Sequence, residues 1–260
     1  MTHSGHSRRS RSGQQQARDV VDSARDAVGN AHETVDQAFD RLEGAAGRVV
    51  ANVKPKLRGW IHVATTPIAL IAGIVLIALT PAGDRWASAV FVASSLVLFG
   101  TSAVYHRGTW SPTTTAVLRR LDHSNIFLLI AGTYTPLAWM LLERSTAIVL
   151  LAVVWAGALV GILLRVFWLS APRWLYVPLY VALGWVAVWF IPDFWRSGGP
   201  AIVALVAAGG IAYTLGAVVY GFKRPNPSPA YFGFHEIFHT GTVIGYVCHL
   251  VAVYLAALTV

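Results

Sequence analysis

The chain has 260 residues, of which 55% are hydrophobic and only 12% charged, and its mean hydropathy is +0.57. A soluble domain of this length would carry roughly twice that share of charge, so the composition excludes an ordinary soluble enzyme and points to lipid as the solvent. The formal net charge of +8 requires no nucleic-acid partner, because orientation in a membrane and contact with anionic headgroups account for it.

In chain order, a polar tail over residues 1–53 comes first. Residues 1–15 are rich in His, Ser, Arg and Gln, a composition expected to stay disordered. The Arg8–Arg9 pair precedes no apolar stretch, and the first such stretch lies too far from Met1 for a cleaved signal peptide. Val21, Ala24, Val28, Ala31, Val35, Ala38 and Leu42 alternate in steps of three and four, as a heptad seam does. The seam is built mainly of Ala and Val and contains Gly29. It reads as a solvated or membrane-surface helix ahead of a coiled coil, with association through the tail left open.

Residues 54–260 contain seven apolar stretches long enough to span a bilayer: Trp60–Thr80, Trp86–Tyr105, Asp122–Leu142, Thr146–Leu164, Trp174–Ile191, Ala201–Tyr220 and Phe234–Leu258. The expected fold is an all-α seven-transmembrane helix bundle in the cell membrane. The fifth stretch is short and holds Pro178. The single cysteine, Cys248, excludes an intrachain disulfide. Seven Arg and seven acids cancel within residues 1–48, so the excess belongs to the membrane part. Ten basic residues there, among them Lys54, Arg107, Arg120, Arg165, Arg173 and Arg224, flank one set of loops, and only Arg85, Arg144 and Arg196 flank the other. This asymmetry places the N-terminus in the cytoplasm and the C-terminus outside.

Ionisable groups inside spans are costly, and each is a candidate site. With that orientation, His106 at the end of span two, Asp122 at the start of span three, and His235 and His239 at the start of span seven reach one membrane level. Residues at i and i+4 sit about 5–6 Å apart on a helix face, so His235 and His239 can share one ion. His106 would be a third imidazole ligand, the number that leaves zinc an open position. Asp122 could bind or orient water at that position, and Ser102, four residues before His106, could bond to an imidazole or to a substrate carbonyl. His123 lies about 100° round the helix from Asp122 and reads as an outer or interfacial group. His62 and His249 read as helix-end residues that cap carbonyls or face headgroups. His235-Glu236-Ile237-Phe238-His239 also matches H-E-x-x-H, with Glu236 as a metalloprotease base. Glu236 is the last acid in the chain, so no downstream acidic ligand follows it.

Several ordered segments resemble one family. They are Lys54-Pro-Lys-Leu-Arg-Gly-Trp60, Ser102-Ala-Val-Tyr-His106, Arg120-Leu-Asp-His-Ser124, Gly132-Thr-Tyr-Thr-Pro136, Gly221-Phe-Lys-Arg-Pro225 and Phe234-His-Glu-Ile-Phe-His239. Over residues 54–258 the chain resembles the hemolysin III group of the progestin and adipoQ receptor superfamily. The resemblance implies a seven-helix bundle holding one zinc near the cytoplasmic face, with Ser102, His106, Asp122, His235 and His239 in the motif positions. His123 stands where receptor-type relatives tend to carry an aromatic. The superfamily is similar to membrane alkaline ceramidases, which implies zinc-dependent hydrolysis of a lipid amide or ester. A non-enzymatic haemolysin, or a membrane-lipid homeostasis protein with structural zinc, is the alternative expectation. Spans four to six are almost free of ionisable groups, which argues against a wide aqueous pore through one chain.

Overall fold

The computed structural model describes residues 57–259, together with Gly29, Thr34, Val35 and Pro55. The heptad-like seam of the tail lies outside the described residues except for Val35, which is exposed. Every named element among the described residues is helical. They are α1 (Trp60–Leu79), α2 (Arg85–Arg107), α3 (Pro112–Leu141), α4 (Arg144–Phe167), α5 (Arg173–Gly184), a 3-10 segment (Trp185–Phe190), α6 (Ile191–Phe222) and α7 (Phe234–Thr259).

Six helical runs are long and apolar enough to cross a membrane, with α5, the 3-10 segment and α6 forming one run, Arg173–Phe222. The run is broken at Gly199, where the backbone departs from helical geometry (φ 73°, ψ −179°) just ahead of Pro200. The break follows the polar residues Asp193, Arg196 and Ser197, of which Asp193 and Arg196 form an exposed ion pair. The positive φ suits glycine, and proline cannot donate to the preceding turn. The start of α3 differs from the expected one. It begins at Pro112, ten residues before Asp122, because Ser111 caps it through Oγ accepting from Thr114 N at 3.2 Å, with proline in the first turn.

The outward faces are apolar. Ile68, Ile71, Val160, Leu215 and Leu258 are each more than 60% exposed, which suits hydrocarbon and would be unfavourable in water. Trp60, Trp86, Trp168, Trp174 and Trp195 are exposed near helix ends, as an interfacial aromatic belt requires. The molecule is a multi-pass membrane protein. α3 is the inner helix and touches α2, α4, α5, α6 and α7, and α1 closes the arrangement against α2 and α7.

The most extensive helix pair is α6 with α7, and its closeness comes from missing side chains. A Cβ on Gly241 would lie 2.9 Å from the Ala212 carbonyl oxygen, and one on Gly216 would lie 3.3 Å from that of Phe238. Lipid gives no hydrophobic drive to helix association, so such backbone contact supplies it. Gly241→Val should therefore separate α6 from α7 at a cost of about 1–3 kcal/mol. The expected result is a clear fall in thermal midpoint in detergent, and an unchanged midpoint would contradict this account of the pair.

Candidate metal centre

The segment before α1 fastens three helix ends together. Gly59 caps α1 in the left-handed region (φ 83°), and a Cβ on it would meet the His106 Cβ at 2.7 Å. Glycine is needed there for both the dihedral and the space. The neighbouring Arg58 donates from Nε to Glu236 Oε1 at 2.8 Å, and the Gly233 amide donates to Glu236 Oε2 at 2.8 Å. The second bond is the returning half of a capping box at the start of α7. Leu57 N donates to the Tyr231 carbonyl at 3.3 Å, and the Arg107 guanidinium lies 4.4 Å from the Trp60 ring centroid. The end of α2 and the start of α7 are thus both held against the entrance to α1.

Three histidines meet at this end of the bundle. The ligand atoms of His106, His235 and His239 all lie within 4.8 Å of one another. His106 Nε2 and His235 Nε2 are 3.3 Å apart. An ion bound tetrahedrally with nitrogens at about 2.0–2.1 Å would separate them by roughly 3.3–3.4 Å. His239 and His106 are buried and His235 is half-buried. The donor set, its spacing and its burial fit a metal ion.

Around the three lie the other polar groups. Asp122 Oδ2 is 3.7 Å from His106 Nε2 and 3.9 Å from His123 Nδ1. Ser102 is buried beside this carboxylate, and its Oγ has no hydrogen-bond partner of ordinary geometry. His123 Nδ1 donates to the Arg119 carbonyl at 2.7 Å, and its Nε2 lies 3.3 Å from the Tyr220 hydroxyl. That ring therefore turns towards Tyr220 on α6, which in turn packs 5.5 Å from the His235 ring.

An internal cavity of about 120 Å³ begins at this group. Its wall includes Ser102, Asp122 and His239 at one end, and Leu129, Leu137 and Phe194 further in. A His–Asp group heading an apolar chamber can polarise and orient a carbonyl while keeping bulk water away.

Sequence reasoning missed His62. It does not face headgroups: it is 3% exposed, and its ring stacks on His239 with centroids 4.0 Å apart and planes 11° apart. Neither ring nitrogen has a hydrogen-bond partner of ordinary geometry. Its place near the start of α1, at the level of the other histidines, was the available signal. His249 lies deeper, and its Nε2 donates to the Val206 carbonyl at 3.1 Å. Glu236 is 1% exposed and both its oxygens are engaged by Arg58 and Gly233. This orients the carboxylate towards α1 and gives the H-E-x-x-H pattern no free base.

Arg58 and Glu236 should consequently behave as one unit. Arg58→Gln and Glu236→Gln are each expected to lower the thermal midpoint, with the double variant far from additive. A coupling of about 1–3 kcal/mol is expected, given that the arginine is partly exposed. Simple additivity in that cycle would mean that the pair does not hold the helix ends.

Comparison with known proteins agrees with this architecture. The family described as "Haemolysin-III related" matches residues 50–250. The chain is 32% identical over 145 residues to "Hemolysin-3 homolog" of Bacillus subtilis (strain 168), covering 55% of this chain and 68% of that protein. It is 28% identical over 182 residues to "Hemolysin-3" of Bacillus cereus, covering 68% and 83% respectively. It is 30% identical over 187 residues to "Heptahelical transmembrane protein ADIPOR2" of Oryza sativa subsp. japonica, covering 65% and 81%. The chain belongs to the haemolysin-III related family of membrane proteins.

Proposed function

We propose that this protein is a zinc-dependent hydrolase of a lipid amide or ester, with seven spans and its metal centre at the cytoplasmic face. Two observations support seven crossings: the backbone break at Gly199, which divides the Arg173–Phe222 run, and the word heptahelical in the name of the rice relative. The loops at the histidine end carry ten of the 13 basic residues outside the tail, which supports a cytoplasmic N-terminus and an outer C-terminus.

The observation that carries the reading is the His106, His235 and His239 group, whose member His239 lines one end of an apolar cavity together with Asp122 and Ser102. Three imidazoles suit zinc and leave one position open. When bound there, zinc supplies a Lewis acid and lowers the pKa of its water from 15.7 to about 7. Asp122 would hold the attacking water by hydrogen bond, take its proton and return it to the departing amine or alkoxide. Ser102, buried beside that carboxylate, would donate to the carbonyl oxygen of the substrate. The apolar walls take the acyl chain and exclude bulk water. Trp185 lines the cavity and is 40% exposed on the outer surface, which suits entry of a lipid sideways between helices.

One feature favours a second reading. The ligands come from α2 and α7, so a metal there also ties the two helices together. A structural zinc would then serve a non-enzymatic haemolysin, as the names of the Bacillus relatives suggest, or a regulator of membrane lipid state.

Metal analysis with lipid product analysis separates these readings. Purified wild type should hold about one zinc and His235→Ala should lose it. Asp122→Asn should keep the zinc while lipid-amide turnover falls about 100-fold or more. Chelation that destabilises the protein, without turnover of any lipid amide or ester by the wild type, would favour the structural reading. A wild type without zinc would remove both.

A further inference from the structure

Beside the histidines, the same end of the bundle holds a second electrostatic feature that the proposed hydrolysis does not use. By its place in the sequence, Arg165 is one of the loop-flanking positive residues. In the structure it is 1% exposed, although only Val166 and Phe167 follow it in α4. Its Nε and Nη1 are buried without a hydrogen-bond partner. The Tyr176 ring lies 4.2 Å from its guanidinium carbon.

Two further arginines gather here. Arg120 donates from Nε to the Val166 carbonyl at 3.0 Å, which brings it to the residue after Arg165. Arg173 donates to the Tyr220 carbonyl at 3.1 Å and stands 4.5 Å from the Tyr220 ring centroid. Tyr220 and Tyr176 have hydroxyls 3.4 Å apart, which links the two arginine–tyrosine pairs. Among the described residues, no carboxylate lies within ion-pair distance of any of these three arginines. Burying a guanidinium without a counter-ion costs several kcal/mol, and interiors carry such a group where an anion meets it.

The chemistry of that anion follows from the donors and their depth. Guanidinium groups present a planar fork that matches phosphate oxygens in pairs. Trp174, 76% exposed at the start of α5, marks this level as the membrane interface, where the phosphates of lipid headgroups lie. Basic pockets between helices at this level bind acidic lipid headgroups. We propose that Arg165, with Arg120 and Arg173, forms a binding site for a phosphate group between α3, α4 and α5, filled by the headgroup of an acidic phospholipid. The site adjoins the histidine group through Tyr220, whose ring lies 5.5 Å from that of His235, and does not depend on hydrolysis.

The test uses full-length protein delipidated in neutral detergent, titrated with phosphatidylglycerol, phosphatidylcholine or inorganic phosphate, and read by thermal shift. Phosphatidylglycerol should raise the midpoint and phosphatidylcholine should not. Arg165→Gln should weaken the phosphatidylglycerol response about tenfold, the loss of one charge-assisted contact. Inorganic phosphate that gives the full shift, again weakened in Arg165→Gln, would keep the phosphate site but assign it a soluble ligand. If Arg165→Gln does not fold, Arg165→Lys replaces it: it keeps the charge, loses the fork and should bind several-fold more weakly. Equal responses to the two lipids, or an undiminished response in the variant that folds, would overturn the proposal.

Discussion

The arrangement of the three-histidine group rests on one ion pair. Arg58 and Glu236 are 178 positions apart in sequence, yet they bring the entrance of α1 onto the first turn of α7. A buried carboxylate without a partner would be strongly unfavourable, so α7 cannot rotate or slide without losing the contact. That constraint sets which face of α7 meets α2. With Glu236 turned to α1, His235 and His239 are directed to His106, and Gly59 leaves the His106 backbone the room it needs. The resemblance of Lys54–Trp60 to a family motif thus has a physical content: it is the clip for the helix ends that carry the histidines.

This clip also explains why a familiar pattern misleads. In H-E-x-x-H the two histidines share a helix face and the glutamate lies about 100° away. Whether that glutamate meets the metal depends on what packs against its own face. Here the arginine of another helix entrance meets it at 2.8 Å. The five letters fix the spacing of the ligands but cannot specify what occupies the adjoining face.

The same distinction governs what else could be read from the chain. Apolar run lengths located the helices well, because bilayer thickness is a local constraint on composition. The meeting of His106, His235 and His239 was legible because charge asymmetry gives direction and alternation of spans gives depth. Features requiring knowledge of the neighbour were not legible. The ten extra residues of α3 depend on the Ser111 cap, which run-length reasoning does not weigh. His62 and Arg165 sit near the ends of apolar stretches, where sequence alone suggests headgroup contact. Their burial comes from packing: His62 is covered by Phe99 and His239, and Arg165 by Tyr176.

The two polar centres at this end of the bundle solve the cost of charge in a membrane in opposite ways. The histidine centre contains its own carboxylate, Asp122, within 3.7 Å of an imidazole, so it can hold a cation without importing an anion. The Arg165 centre contains cations and aromatic faces and, among the described residues, no carboxylate within ion-pair distance, so it suits an anion where the first suits a cation. α3 carries Asp122 to the first and Arg120 to the second, two residues apart in sequence. Its length and central position therefore do more than fill the bundle. An α3 that began at Asp122 would lack the turn holding Arg120 against the Val166 carbonyl, and the second centre would lose one of its three cations.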